Sequence, residues 1–171
     1  DYAKKQLAAA GYPDIEIFLN EWNCRIDLRG TAEHAALTAG MMLALQDTTL
    51  DGAMFYDARL SPSIYGSMFN PLTHKPLPTY YAFTAFNRLY QLENEAAVDN
   101  DMEDVYAVAA VKGKKGCIMI ANTTAEDIRA DLVFDGKIEQ CFITEEGKND
   151  QSFPFDGILP KHSILTIEAS L

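Results

Sequence analysis

Hydrophobic and polar positions follow a helical or mixed period in the first ninety residues of the chain. Gly11 ends an opening helix, Thr31 is placed to cap a second one, and Pro78 sits near the first turn of a third. Short β-rich runs separate these helices. The pattern predicts a helix over 1–10, a strand over 15–19, a helix over 31–47, a strand over 52–56 and a helix over 78–92, with a right-handed crossover between parallel strands.

The helix predicted over 31–47 is apolar nearly all round rather than along one stripe. Its apolar residues include Ala32, Ala35, Ala39, Met42 and Leu45. A helix at the surface of a globular protein shows one apolar stripe. We therefore expect this helix to be covered on several sides.

The period changes to two in the last part of the chain. Between residues 128 and 134, apolar side chains alternate with mostly polar ones, and Gly-containing turn signals separate this run from its neighbours. Short strands at this spacing are typical of an antiparallel sandwich. The predicted strands are 105–111, 117–121, 128–134, 138–143 and 163–167.

Charge is distributed unevenly over the 171 residues, whose formal net charge is −11. Residues 1–92 carry 9 acids and 7 bases, whereas residues 93–171 carry 16 acids and 7 bases. Six of those acids fall within 93–104, a segment with little to gain from burial. The sequence therefore predicts two domains, 1–92 and 105–171, joined by an acidic linker at 93–104.

Composition excludes several classes of function. No apolar run reaches 18 residues, which argues against a membrane span, and an acidic chain without basic clusters is a poor nucleic-acid binder. Three cysteines without a CxxC pair and three scattered histidines predict neither a metal site nor a cofactor. The sequence leaves open whether Cys117 and Cys141 form a disulfide, and it does not indicate the cellular compartment.

The most chemically suggestive segment follows the first predicted strand. Glu21 stands there between Asn20 and Asn23, beside Trp22. The carboxyl ends of parallel strands are where α/β folds build their sites. Glycoside chemistry requires a carboxylate placed about 5 Å from a second carboxylic acid. The alternative is that Glu21 is only the polar end of a strand and Trp22 a core residue.

Three further residues are candidates with a structural alternative. Asp57 and Arg59 follow the second predicted strand, where they could hold sugar hydroxyls or form an ion pair at the rim. His34, in the first turn of the long helix, is interpreted as a solvated or capping residue.

Three segments resemble the C-terminal part of clan A (β/α)8-barrel glycoside hydrolases, most closely family 39, the β-xylosidase and α-L-iduronidase type. The run IEIFLNEWN at 15–23 looks like the seventh-strand nucleophile segment. The run GSMFNPLTHKPLPTYYAF at 66–83 resembles the following loop and last barrel helix. The run FDGILPKHSILTI at 155–167 resembles the closing strand of the β-sandwich after such barrels.

The resemblance implies a fold and a set of roles. The fold would be α/β plus all-β: the last two βα units of a partial (β/α)8 barrel, then an antiparallel β-sandwich. Glu21 would match the family's nucleophile, in a retaining enzyme for plant or glycan saccharides. The other implied site residues, which would contact the carbohydrate, are Asn20, Trp22, Asn23, Tyr56, Asp57 and Arg59.

The resemblance also implies what the chain lacks. The family's acid/base glutamate lies after the fourth strand in an Asn-Glu context, and no segment before residue 15 matches it. We therefore expect the chain to be inactive alone. Two parallel strands do not form a stable sheet, so a missing barrel segment or a second chain is expected to cover their apolar face. The alternatives are a non-catalytic carbohydrate-binding module and a structural β-sandwich module attached to a glycosidase.

Overall fold

The computed structural model describes residues 2–171, which form three α-helices and ten strands. The helices are α1 (Tyr2–Ala9), α2 (Ala32–Gln46) and α3 (Pro78–Tyr90). The strands are β1 (Phe18–Trp22), β2 (Gly52–Phe55), β3 (Asn94–Ala96), β4 (Val105–Lys112), β5 (Lys115–Asn122), β6 (Ile128–Arg129), β7 (Lys137–Glu145), β8 (Lys148–Ser152), β9 (Ile158–Leu159) and β10 (Ser163–Ser170).

The helices and the parallel strand pair of the first part are confirmed. The Thr31 hydroxyl accepts the His34 backbone N–H and caps α2. Strands β1 and β2 pair in parallel, as predicted. However, β1 begins three residues later than predicted, because the Ile17 N–H donates to the Asp51 carboxylate at 2.7 Å rather than to a strand.

The second part forms one large antiparallel sheet and one small one. The large sheet has the order β3-β4-β5-β10-β7-β8, and β6 pairs with β9 in a separate two-stranded sheet. The strand predicted over 128–134 is wrong beyond Arg129, since the opposing strand β9 has only two residues. Strands β3, β8 and β9 have weak apolar patterns and are absent from the sequence-based prediction.

The large sheet is apolar on both faces, which follows from the alternation of side chains along each strand. On one face Val108, Met119 and Ile164 join a core with α2 and α3. On the other face Ile120 and Leu165 belong to a second core with β9. The sheet therefore forms the middle layer, with helices on one side and the small sheet on the other.

Helix α2 is covered on several sides, as its sequence predicts. Ala35, Ala36 and Ala39 are fully buried between the sheet and α3. The sheet approaches so closely at Gly40 that an added Cβ would lie 2.9 Å from both the Tyr106 ring and the Thr123 methyl group. Residues 1–92 therefore share a core with the sheet.

The division into two domains with a linker stays a prediction. Within the segment 93–104, β3 forms the edge of the large sheet by pairing with β4. Its residues Asn94 and Ala96 lie opposite Val111 and Ala109.

A charged cluster joins α3 to the outer strands of the large sheet. Arg88 donates two hydrogen bonds to Asp150, both 2.8 Å, and lies 3.5 Å from the Glu168 carboxylate. Its guanidinium carbon stands 4.2 Å from the centre of the Phe142 ring. A bidentate pair that is shielded in this way resists solvent screening better than an exposed one.

The two buried cysteines do not pair. Cys117 faces the helices, whereas Cys141 faces the opposite core, and β10 runs between their strands. Both thiols are free, so the disulfide left open by the sequence is ruled out. Burial raises the pKa of the Cys117 thiol to about 12, which keeps it protonated at neutral pH.

Asn122 is the polar centre of the connection between β5 and β9. Its side chain is fully buried, and its amide nitrogen donates to the carbonyl oxygens of Glu126, Leu159 and Pro160 at 3.0 to 3.2 Å. Because a buried amide without partners is costly, these bonds fix the two loops together.

Substitution Gly40→Ala is expected to destabilise the protein by about 1 kcal/mol, the middle of a range of roughly 0–2 kcal/mol. The clash with Tyr106 and Thr123 costs about 1–3 kcal/mol, which exceeds the gain of about 1 kcal/mol in helix propensity. Urea denaturation measures the difference. Met41→Gln, on the exposed side of the same helix, is the control and should change stability by less than about 0.5 kcal/mol. Equal effects of the two variants would contradict the close approach.

Candidate functional site

The carboxyl ends of β1 and β2 lie side by side. Trp22 pairs with Phe55 in the parallel ladder, so residues 20–23 and residues 56–59 occupy the same edge of this small sheet. The register shifts between Leu19 and Trp22, where Asn20 and Glu21 lie. The structure thus brings together the two segments from which the sequence predicts site residues.

Glu21 and its neighbour Asn20 are exposed at this edge. Within residues 2–171, Glu21 makes neither an ion pair nor a side-chain hydrogen bond. Its carboxylate is therefore available to a molecule that binds at the edge. The same exposure is also what an ordinary polar strand end would have, so the catalytic role stays a prediction.

Trp22 lies in the core rather than at the open edge. Its ring contacts Phe55 edge-on with centroids 5.0 Å apart, and Phe55 in turn contacts Phe83 of α3 at 5.2 Å. The indole Nε1 is buried and has no hydrogen-bond partner among residues 2–171. Trp22 therefore anchors the strand that carries Glu21, and its sugar-packing role stays a prediction.

Asn23 connects the end of β1 to the loop after β2. Its amide nitrogen donates to the carbonyl oxygens of Tyr56 and Tyr65, the latter at 3.1 Å. Its amide oxygen accepts the Cys24 N–H at 2.7 Å and lies 3.2 Å from the His34 Nε2. Because protein groups use both ends of this amide, Asn23 holds the two segments of the site in place. Its contact with a substrate stays a prediction.

His34 contacts the side-chain amide of Asn23 from the buried side. Its ring is fully buried, and Nδ1 lies 2.8 Å from the Thr79 hydroxyl at the start of α3. The prediction of a solvated or capping histidine is wrong, because α2 is buried even in its first turn. Burial lowers the pKa of His34, which favours the neutral ring that can hydrogen-bond to both neighbours.

Asp57 and Arg59 form the ion pair that the sequence leaves as one of two alternatives. The buried Asp57 carboxylate accepts hydrogen bonds from Arg59 Nε at 2.7 Å and from the Ser63 hydroxyl at 2.9 Å. Arg59 also donates to the Tyr56 hydroxyl at 3.0 Å. The second Asp57 oxygen is buried with no partner among residues 2–171, so one acceptor is unused.

Two residues of the loop join this cluster without having been predicted. The Tyr65 ring lies 5.4 Å from the Tyr56 ring, and Ser63 contacts Asp57. Both belong to a loop rich in Pro and Ser. The sequence signal that could have found them is the position of the loop directly after a strand, where α/β sites are built.

No protein-family model and no curated protein sequence matches the chain. Its fold is similar to solved structures at low identity. A family 30 subfamily 8 xylanase from Clostridium acetobutylicum is 12% identical with a TM-score of 0.70, over 96% of this chain and 45% of the xylanase. A monomeric β-xylosidase from Caulobacter crescentus CB15 is 12% identical with a TM-score of 0.67, over 99% and 48%.

A family 39 enzyme from Xanthomonas axonopodis pv. citri is likewise 12% identical, with a TM-score of 0.65 over 99% of this chain and 47% of the enzyme. The fold of the chain is therefore similar to that of part of these glycoside hydrolases, a family 39 enzyme included, as the resemblance implies. The chain spans a little under half of the length of these three structures.

The structure provides two further facts about classes of site. None of the helices in residues 2–171 combines the length and the apolar composition that crossing a bilayer requires. In the same range, no three His, Cys, Asp or Glu side chains are grouped so that they could hold a metal ion.

The stability of the chain should depend on the protonation of His34. The ring has a lowered pKa in the folded state, so the unfolded chain takes up a proton first as the pH falls below about 6.5. The contribution of His34 is therefore complete above that pH and is lost as the pH falls through the unfolded and then the folded pKa. Urea denaturation at pH 7.5 and pH 5 should show this loss.

His34→Gln is the variant that isolates the effect. Glutamine keeps one donor and one acceptor but does not titrate, so its stability should fall less between these two pH values. A fall equal to that of the unmodified chain would contradict the role assigned to His34. His74→Gln, in an exposed loop, is the control and should keep the full pH dependence.

Proposed function

We propose that the chain is the C-terminal part of a retaining, β-xylosidase-like glycoside hydrolase for plant or glycan saccharides. In this proposal Glu21 is the nucleophile. Residues 1–92 are the last two βα units of a (β/α)8 barrel, 93–104 is a linker, and 105–171 is a β-sandwich domain. The similarity of the fold to the solved glycoside hydrolases supports this proposal. That this chain acts on the same class of substrate is part of the proposal.

The observation that carries the proposal is the position of Glu21. A carboxylate without a partner among residues 2–171 stands at the carboxyl end of one parallel strand, beside the carboxyl end of the next. Tyr56, Arg59 and Asp57 gather at the same edge. In a barrel, this is the edge at which catalytic residues project towards the substrate.

The carboxyl groups at this edge support the proposal that the 171 residues are inactive alone. Retaining hydrolysis needs a proton donor as well as a nucleophile. Asp57 is the other carboxyl group at this edge, but one of its oxygens is occupied by Arg59 and Ser63. The Asp57 carboxylate is therefore already engaged by side chains of its own loop. We therefore propose that the acid/base carboxylate comes from polypeptide outside these residues.

The apolar surface of the small parallel sheet supports the same proposal. Phe18 and Met54 on β1 and β2 are 45% and 47% exposed, and each of the two strands pairs only with the other among residues 2–171. Edges and faces of this kind are covered in stable α/β sheets. The proposed cover is the remainder of a barrel. A second chain is the alternative occupant.

The second candidate function is a non-catalytic module that binds carbohydrate or braces a catalytic domain through the sandwich. The shared core between α2 and the large sheet favours bracing. Residues 105–171 contain no Trp, although exposed aromatic rings are the usual platforms for sugars. Binding of xylo-oligosaccharides to the isolated chain in affinity electrophoresis would favour the binding module.

The proposal is tested with Glu21→Gln in the 171-residue chain and in the chain joined to its natural upstream sequence. We expect no hydrolysis of aryl β-xylosides by the shorter protein. The longer protein should be active and lose at least about 10³-fold in kcat on substitution, because the covalent step is removed. A 2-deoxy-2-fluoroxyloside should label Glu21 in the active protein, as seen by peptide mass spectrometry.

Glu16→Gln is the matched control, since Glu16 is an exposed glutamate just before β1 and makes no side-chain hydrogen bond or ion pair in the described residues. It should keep full activity. Hydrolysis by the shorter chain that is lost in Glu21→Gln would overturn the inactivity. An active longer protein that is unaffected by Glu21→Gln would overturn the assignment of the nucleophile.

A further inference from the structure

The side-chain amide of Asn23 uses all of its hydrogen-bonding capacity within the chain. Its nitrogen donates to the carbonyl oxygens of Tyr56 and Tyr65. Its oxygen accepts the Cys24 N–H at 2.7 Å and lies 3.2 Å from the His34 Nε2. An amide group has two hydrogens to donate and two lone pairs to offer, so none is left over. Asn23 can therefore bind a sugar hydroxyl only by giving up one of these contacts.

The same contacts determine which way round the amide of Asn23 lies. The opposite orientation would place its oxygen against the carbonyl oxygens of Tyr56 and Tyr65. It would also place an amide N–H against the backbone N–H of Cys24. Both arrangements are repulsive, so the amide oxygen is the atom that faces His34.

The orientation of the amide in turn determines the tautomer of His34. An amide oxygen only accepts hydrogen bonds, so the proton is on Nε2. The Nδ1 atom, without a proton, then accepts a hydrogen bond from the Thr79 hydroxyl, 2.8 Å away. The other tautomer would set the Nε2 lone pair against the Asn23 oxygen, in a ring that is fully buried. The contacts therefore form a hydrogen-bond chain with one direction, from Thr79 through His34 and Asn23 to the two carbonyl groups.

This hydrogen-bond chain ends where the two parallel strands end. The last pair of their ladder is Trp22 with Phe55, and the Tyr56 N–H donates to the Trp22 oxygen at 2.8 Å. The Asn23 side chain bonds to the Tyr56 carbonyl group and so continues the contact between the strands by one residue. Glu21 directly precedes Trp22 in the same strand end. The position of Glu21 relative to the second strand therefore depends on the hydrogen-bond chain.

The other end of the chain lies in the first turns of two helices. Thr79 is the second residue of α3, and His34 is in the first turn of α2. Both side chains are fully buried. Within residues 2–171 the Thr79 hydroxyl forms its one side-chain hydrogen bond with His34. The packing of α2 against α3 is thus connected to the strand ends by polar contacts as well as by the apolar core.

We propose that His34 and Thr79 are positioning residues for the glycoside hydrolysis proposed above, and that Asn23 transmits their effect to the strand ends instead of binding the sugar. Because His34 and Thr79 are fully buried, they act on the alignment of Glu21 and not on the binding of substrate. A displacement of about 1 Å at a reacting group costs about 10²-fold in rate. This inference rests on the proposed function for the reaction itself, whereas the hydrogen-bond chain is tested without it.

The hydrogen-bond chain is tested in the 171-residue protein. Long-range proton–nitrogen NMR spectra at neutral pH should show a proton on Nε2 of His34 and none on Nδ1. Exchange of the Cys24 amide hydrogen, relative to the amides of β5, should become about fivefold faster in Thr79→Val, since the Asn23 oxygen that holds it is less firmly fixed. Thr79→Ser keeps the hydroxyl and should keep the slow exchange. A proton on Nδ1, or unchanged exchange in Thr79→Val, would overturn the proposal.

The effect on the reaction is tested in the chain joined to its natural upstream sequence, with aryl β-xylosides as substrates. Thr79→Val should lower kcat by about tenfold or more and change KM by less than about threefold. The value of kcat is calculated per molecule labelled by a 2-deoxy-2-fluoroxyloside, so that a loss of folded protein does not lower it. Thr79→Ser should restore most of kcat.

Thr84→Val is the matched control, because it makes the same change on the same helix. The Thr84 hydroxyl bonds only to the Tyr80 carbonyl group among the described residues, so this variant should keep both kinetic constants. A longer protein that is inactive, or active but unaffected by Glu21→Gln, would overturn the proposed function and the positioning role together. In an active protein that depends on Glu21, the positioning role alone would be overturned by an unchanged kcat in Thr79→Val, by an equal loss in Thr84→Val, or by a loss that Thr79→Ser does not restore.

Discussion

The need to cover helix α2 on nearly every side determines how this chain is assembled. Its alanines allow α3 on one flank and the large sheet on another, and Gly40 lets the sheet approach to van der Waals distance. A helix of this composition loses its stability if either neighbour moves away, since its apolar surface would meet water. The strand that carries Glu21 shares a core cluster with this helix through Trp22. The geometry of the candidate site therefore depends on packing between the first ninety residues and the large sheet, which differ in the period of their hydrophobic positions and in net charge.

The buried polar contacts beneath the site have a related function. His34 joins α2 to Thr79 on α3 and to Asn23, which in turn holds the loop that contains Tyr65. Each of these groups is satisfied by the others, so the loop after β2 has a defined position without being part of any sheet. The exceptions include the second oxygen of Asp57 and the indole Nε1 of Trp22, which have no hydrogen-bond partner among residues 2–171. Rigid support below an open edge is the usual construction of a binding site in α/β proteins.

Much of the fold can be predicted from the sequence, because its strongest elements are long and periodic. The cap at Thr31, the proline at the start of α3 and the alternation in β4, β5, β7 and β10 all agree with the structure. Prediction is less successful where pairing depends on distant residues. Strands β3, β8 and β9 are short or polar, and residues 131–134 alternate in burial without pairing to a strand in the described part of the chain. His34 illustrates the same point for the site. Its neighbours Asn23 and Thr79 are 11 and 45 residues away, so only the folded chain shows that it is buried.

The amide of Asn122, which donates to three carbonyl groups, has a consequence for how the protein can be produced. The run Asn122-Thr123-Thr124 fits the acceptor signal for N-linked glycans. In the folded chain that nitrogen is inaccessible and already engaged, so an oligosaccharide could be attached only before folding. A sugar at that atom would then separate β5 from the β9 loop. In a eukaryotic secretory pathway, part of the product would therefore be glycosylated and unable to form the connection between β5 and the β9 loop. The substitution Asn122→Gln would remove the glycan acceptor, but it would also remove the hydrogen bonds of Asn122.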